Sequence, residues 1–212
     1  LKKAHTGGRR LKPAGRVLAA ILASLLLASS GSGFPPGASV EAQAAPSGET
    51  DFSFVHLTDA HVGSAEGNRW APKVAAAVAG LSPAPDFAVD GGDLTETGDP
   101  AQYDLYSSTF SSLPFPVLAV PGNHESRWLD AGKGTFRARF GPLYRSFDHK
   151  GVHFVLLDTS TSGQIHGHLE SGMLQWLSAD LASLPRGTPV LVFTHHPVAF
   201  PEREFMDNSD DF

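Results

Sequence analysis

The 212 residues include no cysteine. That absence excludes disulfides, thiolate-bound zinc, a cysteine nucleophile and a lipidated cysteine anchor. A membrane-length apolar run is also missing: Val17–Ala28 falls short of the roughly 20 residues that a spanning helix needs. No internal repeat is present, and low complexity is confined to the N-terminal leader. A hydrophobic content of 41% is ordinary for one globular domain with a substantial core.

Basic residues are scarce beyond the leader. Lys2, Lys3, Arg9, Arg10, Lys12 and Arg16 precede the apolar run, and a small-residue stretch then ends in Ala42-Gln43-Ala44. This order is that of an export signal. Residues 1–44 are therefore expected to direct the chain to the periplasm or the medium, or, if uncleaved, to anchor it at the membrane. Residues 45–212 would form the domain. They hold 10 basic and 21 acidic side chains, a net charge of −11. Such a surface argues against non-specific nucleic-acid binding, which depends on basic patches. Part of the acidic excess lies in Glu202–Asp211, expected to be a solvated segment.

From Asp51 onward, strand-like and helix-like segments alternate. The apolar runs Phe52–Leu57, Phe87–Val89, Val117–Val120 and Val190–Phe193 suit strands buried on both faces. Val74, Val78 and Leu81 predict a helix over Trp70–Leu81, stopped by Pro83 and Pro85. Asp99-Pro100 pairs an N-cap with proline at the first helical position, and Tyr103, Tyr106 and Phe110 supply an apolar face. This β-α-β-α-β order implies a mainly parallel sheet covered by helices. Tyr144–Asp148 and Gly151–Asp158 then read as a hairpin turning around His149-Lys150-Gly151. An amphipathic helix over Leu169–Leu184 leads to the last strand.

Four polar clusters follow directly on the apolar runs: Asp59-Ala60-His61, Gly92-Asp93, Gly122-Asn123-His124-Glu125 and Thr194-His195-His196-Pro197. Taken singly, each is more often a turn or a helix cap than a ligand set. Together they sit at strand ends, where open α/β sheets gather their ligands. Carboxylate, imidazole and amide donors in one crevice suit manganese, iron or zinc. If the strand remains extended, Asp59 and His61 point to the same side. Asp93 follows two glycines, which permit a tight turn and leave both of its oxygens able to bridge cations. His56 and His153 read as packed or hydrogen-bonded strand residues. Trp70 and Trp128 read first as packing residues and second as walls of a substrate groove.

These blocks resemble the successive signatures of the calcineurin-like metallophosphoesterase superfamily, from about Phe52 to Pro197. Phe140-Gly141-Pro142-Leu143-Tyr144 and Leu156-Leu157-Asp158 are similar to its branch of cyclic-nucleotide phosphodiesterase-like enzymes. The resemblance implies a four-layer α/β/β/α sandwich. It also implies two divalent or trivalent metal ions, Asp59 and His61 on the first, Asn123 and His195 on the second, and Asp93 bridging both. His124 would act on the leaving group, and Asn123, His124 and His196 would contact substrate. The implied reaction is hydrolysis of a phosphate mono- or diester by a water activated between the metals.

The family's closing Gly-His-x-His block is not found after His196. Gly167-His168-Leu169-Glu170 resembles it but lacks the second histidine, and it reads as a loop and helix start. The expectation is therefore a C-terminally incomplete sandwich whose sheet edge is exposed. The alternative to a phosphoesterase is a non-catalytic binding module of the same fold.

Overall fold

A computed structural model describes residues 51–198 and 206–208. Residues 1–44, expected to be an export leader, and most of the acidic tail lie outside them. Eleven elements run in the order β1 (Phe54–Leu57), α1 (Ala65–Ala79), β2 (Phe87–Asp90), α2 (Pro100–Thr109), β3 (Val117–Ala119), α3 (Asn123–Arg127), α4 (Gly134–Phe140), β4 (Arg145–His149), β5 (Val152–Leu156), α5 (Ser171–Ala182) and β6 (Val190–Phe193).

The strands form two sheets. In the first, β1, β2 and β3 lie side by side and parallel, with Phe54 beside Phe87 and Ala88 beside Val117. In the second, β4 and β5 form the expected antiparallel hairpin, and β6 adds to β5 in parallel. Among the described residues, β1 and β6 each end their sheet.

Alternation along the central strands builds the layers. Phe87 and Val89 of β2 face Val152, Phe154 and Leu156 of β5, and Phe193 joins them between the sheets. On the other face of the first sheet, Val55, Leu57 and Ala88 pack against Ala71, Ala75 and Val78 of α1 and Tyr103 and Tyr106 of α2. Beyond the second sheet, Val155 meets Met173 and Leu177 of α5. The result is helix, sheet, sheet, helix. Both inner sheets are covered, so β2 and β5 are buried along their whole length. An aromatic seam binds them: the Phe87 and Phe154 rings meet edge to face at 5.1 Å, and Phe147 stacks on Phe154 at 5.0 Å.

Local chemistry explains most boundaries. Asp99 accepts the Ala101 N–H and caps α2 with Pro100 in its first turn. Tyr103, Tyr106 and Phe110 are fully buried, as their spacing predicts. Helix α1 begins at Ala65, five residues before the predicted Trp70. Ser64 caps it by accepting the Gly67 N–H at 2.8 Å, and the poor helix formers Gly67 and Asn68 masked that start. Gly67 is required there, because a Cβ would stand 2.0 Å from the His61 carbonyl oxygen. His56 differs from expectation: its side chain is exposed, resting edge-on against Phe193.

His153 ties α5 to the hairpin. Its ring lies 2.7 Å from an Asp148 oxygen through Nδ1 and 2.9 Å from an Asp180 oxygen through Nε2, and it is buried. Burial alone would lower its pKa, but the hydrogen bonds to Asp180 and Asp148 outweigh it and raise the pKa above the ordinary value. The folded state therefore binds this proton more tightly than the unfolded chain. The stabilisation is fully present below about pH 6.5 and is lost as pH rises through the raised folded value. Denaturant titrations should find His153→Ala less stable than the parent by about 2–3 kcal/mol at pH 6, with a smaller difference at pH 9. A difference independent of pH would contradict the charged bridge.

Candidate metal centre

The first sheet's parallel pairing does not stop where its strands do. Asp59 N–H donates to the Gly92 carbonyl at 2.9 Å, His61 N–H to Asp93 at 2.8 Å, Val62 N–H to Leu94 at 3.0 Å and Glu96 N–H to Val62 at 3.0 Å. The loop after β1 is thus bonded to the loop after β2. Asp59 and His61 are not extended as predicted: β1 ends at Leu57, and the two residues take φ of 59° and 45°. Asp93 also lies in the left-handed region at 55°. Such backbone costs about 1–3 kcal/mol per residue and persists only where surrounding contacts over-determine it.

Those turns bring the donors together. His61 Nε2 lies 3.7 Å from Asp59 Oδ1 and 3.6 Å from Asp93 Oδ2. The other Asp93 oxygen, Oδ1, is 3.5 Å from His195 Nε2 and accepts the His124 N–H at 2.8 Å. Asn123 Oδ1 is 3.1 Å from the same His195 nitrogen. All five residues expected to bind metal therefore meet, with one Asp93 oxygen turned to each side. Two glycines make this approach possible. A Cβ on Gly122 would stand 2.1 Å from Asp93 Oδ1, and one on Gly92 would stand 2.8 Å from His195 Nδ1.

The donor set suits cations. His195 Nδ1 faces the Gly91 carbonyl at 2.9 Å, a partner to which it can only donate. In the neutral ring Nε2 then presents a lone pair to the Asn123 oxygen, and a positive ion satisfies both. His61 repeats the arrangement. Its Nδ1 meets a Glu96 carboxylate oxygen at 3.1 Å, and its Nε2 faces the Asp59 and Asp93 carboxylates. The Asp59 carboxylate raises the His61 pKa to about 9 against the opposing effect of burial, with the Asp93 and Glu96 charges adding to the rise. Asp59 is lowered in turn: burial would raise it, but the nearby His61 ring and the hydrogen bond from Thr58 prevail. Ligand atoms of Asp59, Asp93 and His195 lie within 4.8 Å of one another, as do those of His61, Glu96 and His124.

The calcineurin-like phosphoesterase family model matches residues 52–211. The chain belongs to the calcineurin-like phosphoesterase family. A 3',5'-cyclic-nucleotide phosphodiesterase of Nostoc sp. is 29% identical over 134 residues, 61% of this chain and 47% of that protein. A glycerophosphodiester phosphodiesterase of Enterobacter lignolyticus is 27% identical over 161 residues, 67% of this chain and 55% of that one. A 3',5'-cyclic adenosine monophosphate phosphodiesterase of Escherichia coli is 31% identical over 119 residues, 53% and 41% of the two chains. This calcineurin-like phosphoesterase spans about half the length of such relatives.

Two residues of the cluster escaped the sequence reading. Glu96 holds His61 through its carboxylate and His124 through its carbonyl, which lies 2.7 Å from His124 Nδ1. Its spacing three residues after Asp93 carries no recognisable signal. Glu125 is fully buried. It accepts the Thr95 N–H and O–H through Oε1 and the Gly122 N–H through Oε2, at 2.8, 2.9 and 2.9 Å. Burial raises its pKa. The position was legible in principle, because glutamate at the third residue of a helix often bonds back to the N-cap main chain.

His196, expected at the substrate, is turned away. Its Nδ1 meets the Thr159 hydroxyl at 2.8 Å, its Nε2 meets the Ile165 carbonyl at 3.2 Å, and burial lowers its pKa to about 4. His124, in contrast, lines a cavity of about 430 Å³ together with Asp59, His61, Glu96 and Trp70. Trp128 is exposed and outside that wall.

Glu125→Gln removes one acceptor from a set of three donors and turns an amide N–H₂ toward one of them. Thermal or denaturant unfolding should show a loss of about 1–3 kcal/mol. An unchanged midpoint would mean that Glu125 does not hold the two loops together.

Proposed function

We propose that this chain hydrolyses phosphate esters at a two-cation centre, with Asp59 and His61 holding one ion, Asn123 and His195 the other, and Asp93 between them. The observation that carries this reading is the Asp93 carboxylate, whose oxygens face His61 at 3.6 Å and His195 at 3.5 Å from opposite sides. Manganese, iron and zinc fit such mixed nitrogen and oxygen donors. Bound there, two cations supply neutralisation of the phosphate oxygens and a water of lowered pKa for in-line displacement.

The remaining steps belong to the side chains. Glu96 accepts from Nδ1 of His61 and so directs the other ring nitrogen inward, the outer-shell arrangement usual for metal-binding histidines. The Glu96 carbonyl does the same for His124. His124 Nε2 is then presented to the cavity, where it meets a phosphate oxygen or, when protonated, passes its proton to the departing alkoxide. No side-chain nucleophile is required. The names of the relatives support phosphodiesters as the substrate class. The basic leader supports export of the domain.

With manganese supplied, the chain should turn over bis(p-nitrophenyl) phosphate and lose that activity to a chelator. His124→Ala should keep its metal by elemental analysis while kcat falls about 100-fold or more. Asp93→Ala should lose both metal and turnover. Hydrolysis that survives chelation or the Asp93 substitution would end this mechanism.

Metal binding should also release protons. His61, with its pKa near 9, is protonated at pH 7, and a cation must displace that proton. Calorimetry in buffers of different ionisation enthalpy should find about one proton released at pH 7 and affinity rising with pH toward 9. Release that is unchanged in His61→Ala would assign the proton elsewhere.

A further inference from the structure

His196 is a buried imidazole that the chemistry above does not use. Every polar group it carries is nevertheless bonded. Past the bond from Leu157 N–H to the Phe193 carbonyl at 2.9 Å, a side chain continues the tie between the loop after β5 and the loop after β6. The Thr159 hydroxyl accepts the His196 N–H at 3.2 Å and lies 2.8 Å from its Nδ1, while the His196 carbonyl accepts the Thr194 O–H at 2.9 Å. Nε2 lies 3.2 Å from the Ile165 carbonyl, which can only accept, so Nε2 carries the ring proton and Nδ1 takes that of the hydroxyl. A flipped ring would leave both partners unmet.

The ring so fixed touches an imidazole and a glycine. His195 meets it edge to face, with centroids 4.9 Å apart and planes at 87°. A Cβ on Gly167 would stand 2.6 Å from His196 Cγ and 2.8 Å from Nδ1, so the ring rests on bare backbone. That backbone is held too: Gly167 pairs with Ser160 and with Met206, and its carbonyl accepts the Asp207 N–H at 3.1 Å.

We propose that His196 is a positioning residue for the second ion of the centre, holding the His195 ring where its Nε2 faces Asp93 and Asn123. The proposal rests on the two-cation reading above and adds a residue to it. Rotation of an imidazole about its outermost side-chain bond is soft, so a ligand histidine keeps its angle only through what packs and bonds around it. The Gly91 carbonyl tethers His195 at Nδ1, 2.9 Å away, and one tether still lets a ring swing. The His196 ring against it removes that freedom. Nε2 then stays 3.5 Å from Asp93 Oδ1 and 3.1 Å from Asn123 Oδ1. Asp59 and His61 stand on the loop after β1 and are held by Thr58, Glu96 and the loop after β2. Loss of His196 should therefore reach one ion and spare the other.

Manganese titration followed by electron paramagnetic resonance separates the two, because an isolated ion and a spin-coupled pair give different signals. His195→Ala sets the reference by giving the isolated signal alone. In His196→Ala the coupled signal should need about 10-fold or more manganese than in the parent, so that isolated ions accumulate where the parent is already coupled. Gly167→Ala, whose methyl group displaces the ring without removing it, should act in the same direction. His196→Gln, which returns an N–H toward the Ile165 carbonyl, should recover part of the loss. Coupling at the parent's manganese concentration in both His196→Ala and Gly167→Ala would overturn the proposal. Equal weakening of both ions, with no accumulation of the isolated signal, would make His196 a packing residue and overturn it as well, leaving the two-cation reading intact. A parent that never gives the coupled signal overturns both.

Discussion

Buried backbone must be hydrogen-bonded, and in this protein that obligation is met by carrying the β1–β2 ladder past the strands into the two loops that bear the site. Asp59, His61 and Asp93 accept left-handed backbone because the main-chain bonds on either side leave no relaxed alternative. Short polar loops of this kind would otherwise be mobile. Here main-chain bonds from Asp59, His61 and Val62 pin the loop after β1 to the loop after β2 and so fix the side chains these residues carry. Asp90 extends the same economy. Its buried carboxyl, pushed up to about 8 by desolvation, accepts the Tyr106 O–H and the Gly92 N–H and so fixes the start of the turn that delivers Asp93.

The second constraint is electrostatic. Asp59, Asp93, Glu96 and Glu125 crowd a small volume around His61 and His124. Carboxylates so placed repel one another unless positive charge is shared among them. The His61 pKa is raised to about 9 by Asp59, Asp93 and Glu96. Glu125 feels the burial and the Asp93 charge, which raise its pKa, while three N–H and O–H donors take up its oxygens. It binds the loop after β2 to the start of α3, which keeps Asp93 against Asn123 and His124. The same residues that would attract cations therefore also explain why the site keeps its shape.

Neither sheet makes the centre unaided. His195 follows β6 in the second sheet and reaches the Gly91 carbonyl at the end of β2 in the first, 2.9 Å away. That distance depends on the aromatic seam of Phe54, Phe87, Phe147, Phe154 and Phe193, which sets how close the sheets lie. The part-buried ion pair of Lys133 with Asp158 adds a second tie between the halves, from the start of α4 to the loop after β5. Packing far from the chemistry thus governs the separation of Asp93 from His195.

Local pattern was enough for much of this. Apolar runs ending in polar clusters marked the buried strands and the crevice at their ends, Asp99-Pro100 marked α2, and the order of the clusters marked the family. What local pattern missed depends on contacts between segments distant in the chain. Glu96 and Glu125 look like ordinary acidic residues until Thr95, His61 and Gly122 are folded against them. His196 has the same side chain as His195, yet one ring points to Asp93 and the other to Thr159, because adjacent residues at the strand end project in opposite directions. Asp59 and His61 converge through left-handed turns imposed by a neighbouring loop, not through the extended geometry that their spacing suggests. Residue type and spacing settle which groups are available for chemistry. Which of them share a site is settled by long-range hydrogen bonding and sheet packing, since only the folded chain brings residues a hundred positions apart within bonding distance.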